Sequence, residues 1–294
     1  MTRVAAIQMA SGPNLGANLL EAGRLIAYAA SEGAQLIVLP EDFALICLPQ
    51  DKIKAREIEG KGPIQDFLAQ QAARYGVWIV GGTIPLVAIA ADKVRAACLV
   101  YDSSGQLVAR YDKIHLFDVY IEETGEKYTE SLTIEPGNNP IICDTPFGKI
   151  ALMVCYDLRF PELLRNMIGY GFEIVTLPAA FTAITGKAHW ESLVRARAIE
   201  NLCYFIAAAQ GGYHINGRET YGDSMIVDPW GVVLDRKLAH GSGVVFGTID
   251  LRHLHSIRRN FPTINHTRLQ CMIKMQTLER ATNGERPPAC GCET

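Results

Sequence analysis

Leu152-Met153-Val154-Cys155-Tyr156-Asp157-Leu158-Arg159-Phe160-Pro161-Glu162 is the stretch whose reading decides the fold. The apolar run 150–154 reads as a buried strand. Phe160-Pro161-Glu162 reads as a helix start, with Pro near the first turn and an acid close behind it. Cys155 stands between the two. Such a strand would hold the sulfur rigidly. The turn would leave backbone N–H groups beside it, and the helix N-terminus would favour thiolate over thiol. The competing reading of Cys155 is a small buried hydrophobe, the commonest fate of a free cysteine.

Outward from this stretch the pattern is strand and helix in alternation. Residues 141–144 and 149–154 form a hairpin leading to Cys155. Downstream come a helix over 162–170, an apolar strand over 174–177, a helix over 187–201 and an apolar strand over 203–209. A polar loop (211–220), three strands (221–228, 232–236, 244–249) and a short basic helix (251–260) follow. Upstream, strands 4–9, 36–39 and 77–83 alternate with helices 15–31 and 63–75. A hairpin of 94–101 with 106–111 then leads to 118–137, which is polar, lacks a steady period and reads as a long surface loop. The same order occurs before and after about residue 145. This predicts an α/β fold of two similar half-units around mixed sheets, with helices outside and no linker between them. From residue 267 the character changes. A helix over 270–280 would break at the Gly- and Pro-containing stretch 282–288, and Cys290 and Cys292 fall on a loose end.

Bulk properties narrow the function. A net charge of −3 gives no reason to expect nucleic acid or an anionic membrane as partner. The opening residues enter a strand-like run without a secretory-signal pattern, and no apolar stretch is long enough to span a bilayer. The eight cysteines are irregularly spaced and mostly sit in apolar runs, as with Cys98, Cys143 and Cys203. That suits a reducing cytoplasm. Apart from Cys290 and Cys292 no pair has ligand spacing, so neither metal nor cofactor is expected.

Three polar residues stand where apolar strands end: Glu41, Lys113 and Cys155. In open α/β sheets, sites form at the carboxyl ends of strands. If these ends converge, the set suffices for acyl transfer. Glu41 would take the thiol proton and pass it to the leaving amine, and Cys155 would attack the acyl carbon. Lys113 and the Tyr156 backbone N–H would stabilise the oxyanion. Singly, Glu41 could be a solvated turn acid and Lys113 merely the end of a strand. A Cys/His hydrolase is the competitor, with His115, His189, His214 and His240 as candidates.

Three segments carry a resemblance: Leu39-Pro40-Glu41-Asp42-Phe43, Tyr111-Asp112-Lys113-Ile114-His115-Leu116-Phe117-Asp118, and Val154-Cys155 through Pro161-Glu162. They look like the three signature segments of the nitrilase superfamily, the carbon–nitrogen hydrolases, and the likeness runs from Val4 to about His266. It implies a four-layer α-β-β-α sandwich with pseudo-two-fold halves, occupying 1–266, and assembly as homodimers or larger homo-oligomers. The stretch 267–294 then stands as a C-terminal extension, either loose or in contact with another subunit. It also implies a Glu–Lys–Cys triad at Glu41, Lys113 and Cys155 acting through a thioester, and a supporting glutamate at Glu130.

Residues 179–190, 195–201 and 221–231 are most similar to the Nit branch, and there resemble the deaminated-glutathione amidases more than the omega-amidases. The expected activity is hydrolysis of a small carboxylate-bearing amide. Arg159, just past the nucleophile, is the best-placed cation for that carboxylate, unless it pairs with Glu162 or Asp157. Phe181 and Thr182 could line the pocket. Asp223 departs from the family pattern, where relatives often carry His. Other superfamily reactions, on nitriles or N-carbamoyl compounds, and a non-catalytic binding protein on the same fold are the alternatives.

Overall fold

Thr2–Gln8 (β1), Leu15–Ser31 (α1), Leu36–Val38 (β2), Pro49–Lys54 (α2), Pro63–Tyr75 (α3) and Trp78–Val80 (β3) open the chain, followed by Ile84–Val87 (β4), Val94–Tyr101 (β5) and Leu107–Asp112 (β6). Asp118–Ile121 (β7) and Glu126–Thr129 (β8) precede a 3-10 turn at Glu130–Leu132. The order then repeats as Ile142–Thr145 (β9), Gly148–Leu152 (β10), Pro161–Met167 (α4), Ile174–Ala179 (β11), Ala183–Asn201 (α5) and Tyr204–Ala209 (β12). Gly211–Tyr213 (β13), Glu219–Tyr221 (β14), Ser224–Val227 (β15), Val233–Lys237 (β16), Gly243–Ile249 (β17) and Leu251–Asn260 (α6) complete it. This is a computed structural model, and it describes residues 1–122, 125–215, 217–238 and 240–269. The expected tail therefore lies, from residue 270 on, outside the described residues.

Local chemistry accounts for the long helices. The Asn14 side chain accepts from Ala17 N and starts α1, which buries Ala22, Leu25, Ile26 and Ala29 on one face. Pro63 opens α3, and Gly76, in the left-handed region at φ 63°, closes it. Thr182 caps α5 through its side-chain oxygen.

Two sheets result. In one, β1, β2 and β3 run parallel, with β17 antiparallel on the β1 side and β5 antiparallel on the β3 side. In the other, β10, β11 and β12 run parallel, flanked by antiparallel β9 and β15. The two halves share one topology, and β17 beside β1 takes the place that β9 takes beside β10. Alternation along β1 shows the layering. Val4 and Ala6 share a cluster with Leu152, Leu177, Phe205 and Ile226 of the second sheet. Ala5 and Ile7 pack instead with Ala22, Leu25, Leu68 and Ala72 of α1 and α3. Leu164, Met167, Trp190 and Val194 cover the second sheet from α4 and α5. The order is the expected α-β-β-α.

Several local expectations are corrected. The stretch 118–137 holds the β7–β8 hairpin, in register from Asp118↔Thr129 to Ile121↔Glu126. The stretch 211–220 holds most of a second hairpin, in which Gly211 pairs with Tyr221. Their strands are only three or four residues long, so they leave too little alternation to detect. The strand expected over 77–83 ends at Val80, and Gly82 at φ 58° turns the chain toward β4. Between Cys155 and α4 stands a 3-10 turn, Cys155–Arg159, rather than a tight turn leading straight into a helix.

Candidate active site

Glu41 follows β2, Lys113 follows β6 and Cys155 lies just past β10, and these strand ends meet. Lys113 Nζ donates to Glu41 Oε1 at 2.8 Å and to both oxygens of Glu130 at 2.8 Å each. Glu130 Oε2 also accepts from the Phe117 N–H at 2.7 Å, which fixes the carboxylate. Lys113 is 2% exposed, Glu41 5% and Cys155 6%. Burial alone would discharge the lysine. The carboxylates of Glu130 and Glu41 outweigh it and hold the ammonium well above its ordinary range.

The sulfur is set in an unusual backbone. Cys155 has φ 46°, a left-handed conformation that a non-glycine residue adopts only where its surroundings impose it. Ala180 N donates to Sγ at 3.4 Å. Tyr156 lies in the first turn of the 3-10 segment, where N–H groups lack an intrahelical acceptor. The expected thiolate preference is overturned. Burial pushes the Cys155 thiol well above its ordinary value, and the adjacent Glu41 carboxylate adds to this. Lys113 and the Ala180 N–H pull the other way and lose. A short 3-10 turn is too weak a dipole to offset the burial of the thiol and the Glu41 charge near it.

A cavity of about 280 Å³ opens onto these groups. Glu41, Lys113, Glu130, Cys155, Tyr156, Arg159, Phe181 and Thr182, all the residues expected at the site, line it. Arg159 does not pair with Glu162 or Asp157. Its guanidinium lies 5.0 Å from the Phe181 ring centre and 6.0 Å from that of Tyr156, and Nη1 is 3.2 Å from His189 Nδ1. Among the described residues no carboxylate lies within ion-pair distance of it.

The histidines are engaged elsewhere. His115 Nδ1 sits 2.7 Å from Asp157, and His214 bridges Ser11 O and Thr220 Oγ1. His240 lies beside Tyr213, and His189 meets Arg159. None lines the cavity. Asp223 is likewise outside it, buried and held by both Nε and Nη2 of Arg236.

The sequence reading missed Lys52, Lys127, Tyr128 and Arg218, which also line the cavity. Lys52 Nζ is 2.7 Å from Asp42 Oδ2. Arg218 donates to the Ala180 carbonyl and lies 5.6 Å from the Tyr128 ring centre. Lys127 and Tyr128 could have been suspected from their place just before Glu130. Lys52 and Arg218 carried no signal. Among the described residues the lining holds five cations (Lys52, Lys113, Lys127, Arg159, Arg218) against three carboxylates (Glu41, Asp42, Glu130). No helix there is long and apolar enough to cross a membrane, and no group of three or more His, Cys, Asp or Glu side chains could hold a metal.

The arrangement combines a thiol, a carboxylate near it, an ammonium and backbone N–H donors, the groups needed to open an acyl–nitrogen bond. Comparison with known proteins points the same way. A family profile described as carbon–nitrogen hydrolase matches residues 3–259. A deaminated glutathione amidase of Yersinia enterocolitica is 41% identical over 266 residues, covering 90% of this chain and 92% of that protein. The human protein of the same description is 41% identical over 272 residues, covering 90% and 82%. The NitFhit protein of C. elegans superposes with a TM-score of 0.83 at 35% identity. That match covers 91% of this chain, which spans only 65% of the longer protein. Nit3 of Saccharomyces cerevisiae, described as a member of branch 10 of the nitrilase superfamily, gives 0.79 at 30% identity, covering 89% and 94%.

Proposed function

Because the chain belongs to the carbon–nitrogen hydrolase family, we propose that it is a thiol-dependent amidase of deaminated-glutathione-like substrates, with Glu41, Lys113 and Cys155 as its catalytic groups. The observation that carries the catalytic part is the buried contact of Lys113 with Glu41, on the same cavity as a thiol whose titration that carboxylate raises. The thiol starts protonated. Glu41 takes its proton as Sγ attacks the amide carbon, so no free thiolate need accumulate. The oxyanion is met by Lys113 Nζ and the Tyr156 N–H. Glu41 returns the proton to the leaving nitrogen, and the C–N bond breaks to give a thioester. Glu41 then deprotonates a water that cleaves the thioester and restores the thiol. Glu130 holds Lys113 in place throughout.

The charge excess supports the substrate reading. Two lining cations beyond the number of carboxylates match a substrate with two negative charges. Deaminated glutathione has one on its 2-oxo acid end and one on its glycine end. Arg159, stacked on Phe181, would meet one of them, with Thr182 on the same cavity wall. 2-Oxoglutaramate, the substrate of the omega-amidase reading, has one carboxylate only.

Free thiols at Cys47, Cys98, Cys155 and Cys203 support a reducing, cytoplasmic setting. Homo-oligomer assembly is part of the same reading, and the exposed apolar side chains Trp230, Val232 and Phe261 support it.

The test is kcat/KM over a panel of deaminated glutathione, 2-oxoglutaramate, an N-carbamoyl amino acid and an aliphatic nitrile. A second charge-assisted contact is worth about 1.5–3 kcal/mol, so the dianionic amide should lead 2-oxoglutaramate by roughly 10- to 100-fold. Cys155→Ala should abolish turnover of both. A faster mononegative amide would overturn the substrate reading, and turnover by Cys155→Ala the mechanism.

A further inference from the structure

Asp157 stands two residues past Cys155 and has no exposed surface. Its carboxylate accepts four hydrogen bonds. Oδ2 takes the Val154 N–H at 2.9 Å and the Tyr111 hydroxyl at 2.7 Å. Oδ1 takes the His115 N–H at 3.0 Å and His115 Nδ1 at 2.7 Å. No Lys or Arg lies within ion-pair distance of it among the described residues. A carboxylate only accepts, so His115 carries its proton on Nδ1. Burial and the Asp157 charge keep the Tyr111 hydroxyl protonated as a donor.

The donors come from two places that matter. Val154 is the residue before Cys155. Tyr111 and His115 bracket Lys113 two residues to either side. β6 leads to Lys113 in the first sheet and β10 to Cys155 in the second. One buried carboxylate therefore ties the lysine's segment to the sulfur's segment across the seam between the sheets. It also closes the turn that holds Cys155 at positive φ, since the Asp157 N–H donates back to Val154 O at 3.0 Å. The His115 ring stacks on Phe160 with 3.8 Å between centres, bracing the clamp against the start of α4.

We propose that Asp157 is a positioning residue that sets the separation of the Lys113 ammonium and the Cys155 sulfur, through its hydrogen bonds to Val154, Tyr111 and His115. The inference rests on Cys155 being the nucleophile. It assigns Asp157 no contact with substrate, only control of where the reacting groups stand.

Asp157→Asn keeps the volume but aims an amide N–H₂ at groups that are themselves donors, so one donor pair loses its acceptor. In the folded enzyme kcat should fall about 100-fold or more while KM stays within about threefold, the signature of a lost transition-state arrangement. The rate of Cys155 alkylation by iodoacetamide against pH should shift from the wild-type profile, since the sulfur moves relative to Lys113. Tyr111→Phe removes one of the four bonds and should show both effects about tenfold more weakly. Asp157→Glu should not rescue, because the longer chain misplaces the acceptor.

Wild-type kcat and an unchanged alkylation profile in folded Asp157→Asn would overturn the proposal. If that variant fails to fold, the same two readings unchanged in Tyr111→Phe overturn it. Turnover by Cys155→Ala is a separate outcome that removes the nucleophile reading itself.

Discussion

Arg159 brings a guanidinium to the cavity wall, packs it on Phe181 and meets no carboxylate among the described residues. A structural arginine would lose a partner on truncation. This one would leave no buried anion behind. Arg159→Gln should therefore raise KM for a carboxylate-bearing amide by about 10- to 100-fold, the worth of one charge-assisted contact, and leave the thermal midpoint nearly unchanged. A large fall in midpoint with KM unmoved would make the residue structural. A residue's place at the cavity was readable where motif and strand end coincide, as at Glu41, Lys113 and Cys155. It was unreadable at Lys52 and Arg218, whose neighbours in sequence say nothing about the cavity they reach.

The helix α5 shows why an element's surroundings outrank its propensities. Gly186 sits within its first two turns, where alanine is ordinarily favoured by about 1 kcal/mol. A Cβ there would stand 2.2 Å from Tyr221 Cβ on β14. Overpacking of that kind costs about 1–3 kcal/mol, so the clash offsets or exceeds the helix gain. Gly186→Ala should lower the urea midpoint. It should also raise KM, because Phe181 and Thr182 lead into the same helix at the cavity. A stabilised variant with wild-type KM would show that α5 and β14 can separate freely. α1 and α3 were legible to the residue, since a start signal (Asn14 or Pro63), an apolar face and a glycine terminator agree along each. The hairpins β7–β8 and β13–β14 were not, because pairing of short polar strands depends on what they are packed beside.

For the whole molecule, the core's buried thiols set an alkaline limit. Burial pushes Cys203 up to about 12 and Cys98 higher still. In the unfolded chain thiols ionise near 8.5. Below that pH both states hold the proton and the stability is intact. Above it the unfolded chain loses protons that the native chain keeps, so the free energy of unfolding falls with rising pH. Each thiol contributes up to about 1.4 kcal/mol per pH unit, a loss continuing toward pH 12. Urea unfolding under reducing conditions at pH 8, 9 and 10 should show this slope, and Cys203→Ala should flatten it. Equal stability at pH 8 and 10 would rule it out.

By itself the sequence determined the twofold alternation of strand and helix, the family, and the polar groups at three strand ends. Those are local records, since a strand buried on both faces must be apolar and a polar side chain must wait until it stops. Only the tertiary structure decided that Lys113 reaches Glu41, 72 positions away, and sits between that carboxylate and Glu130. It alone decided that burial and Glu41 push the Cys155 thiol up and that Asp157 bridges the sheets. Each of those depends on distances between segments remote in the chain, which the stacking of one sheet on the other sets and no run of residues encodes.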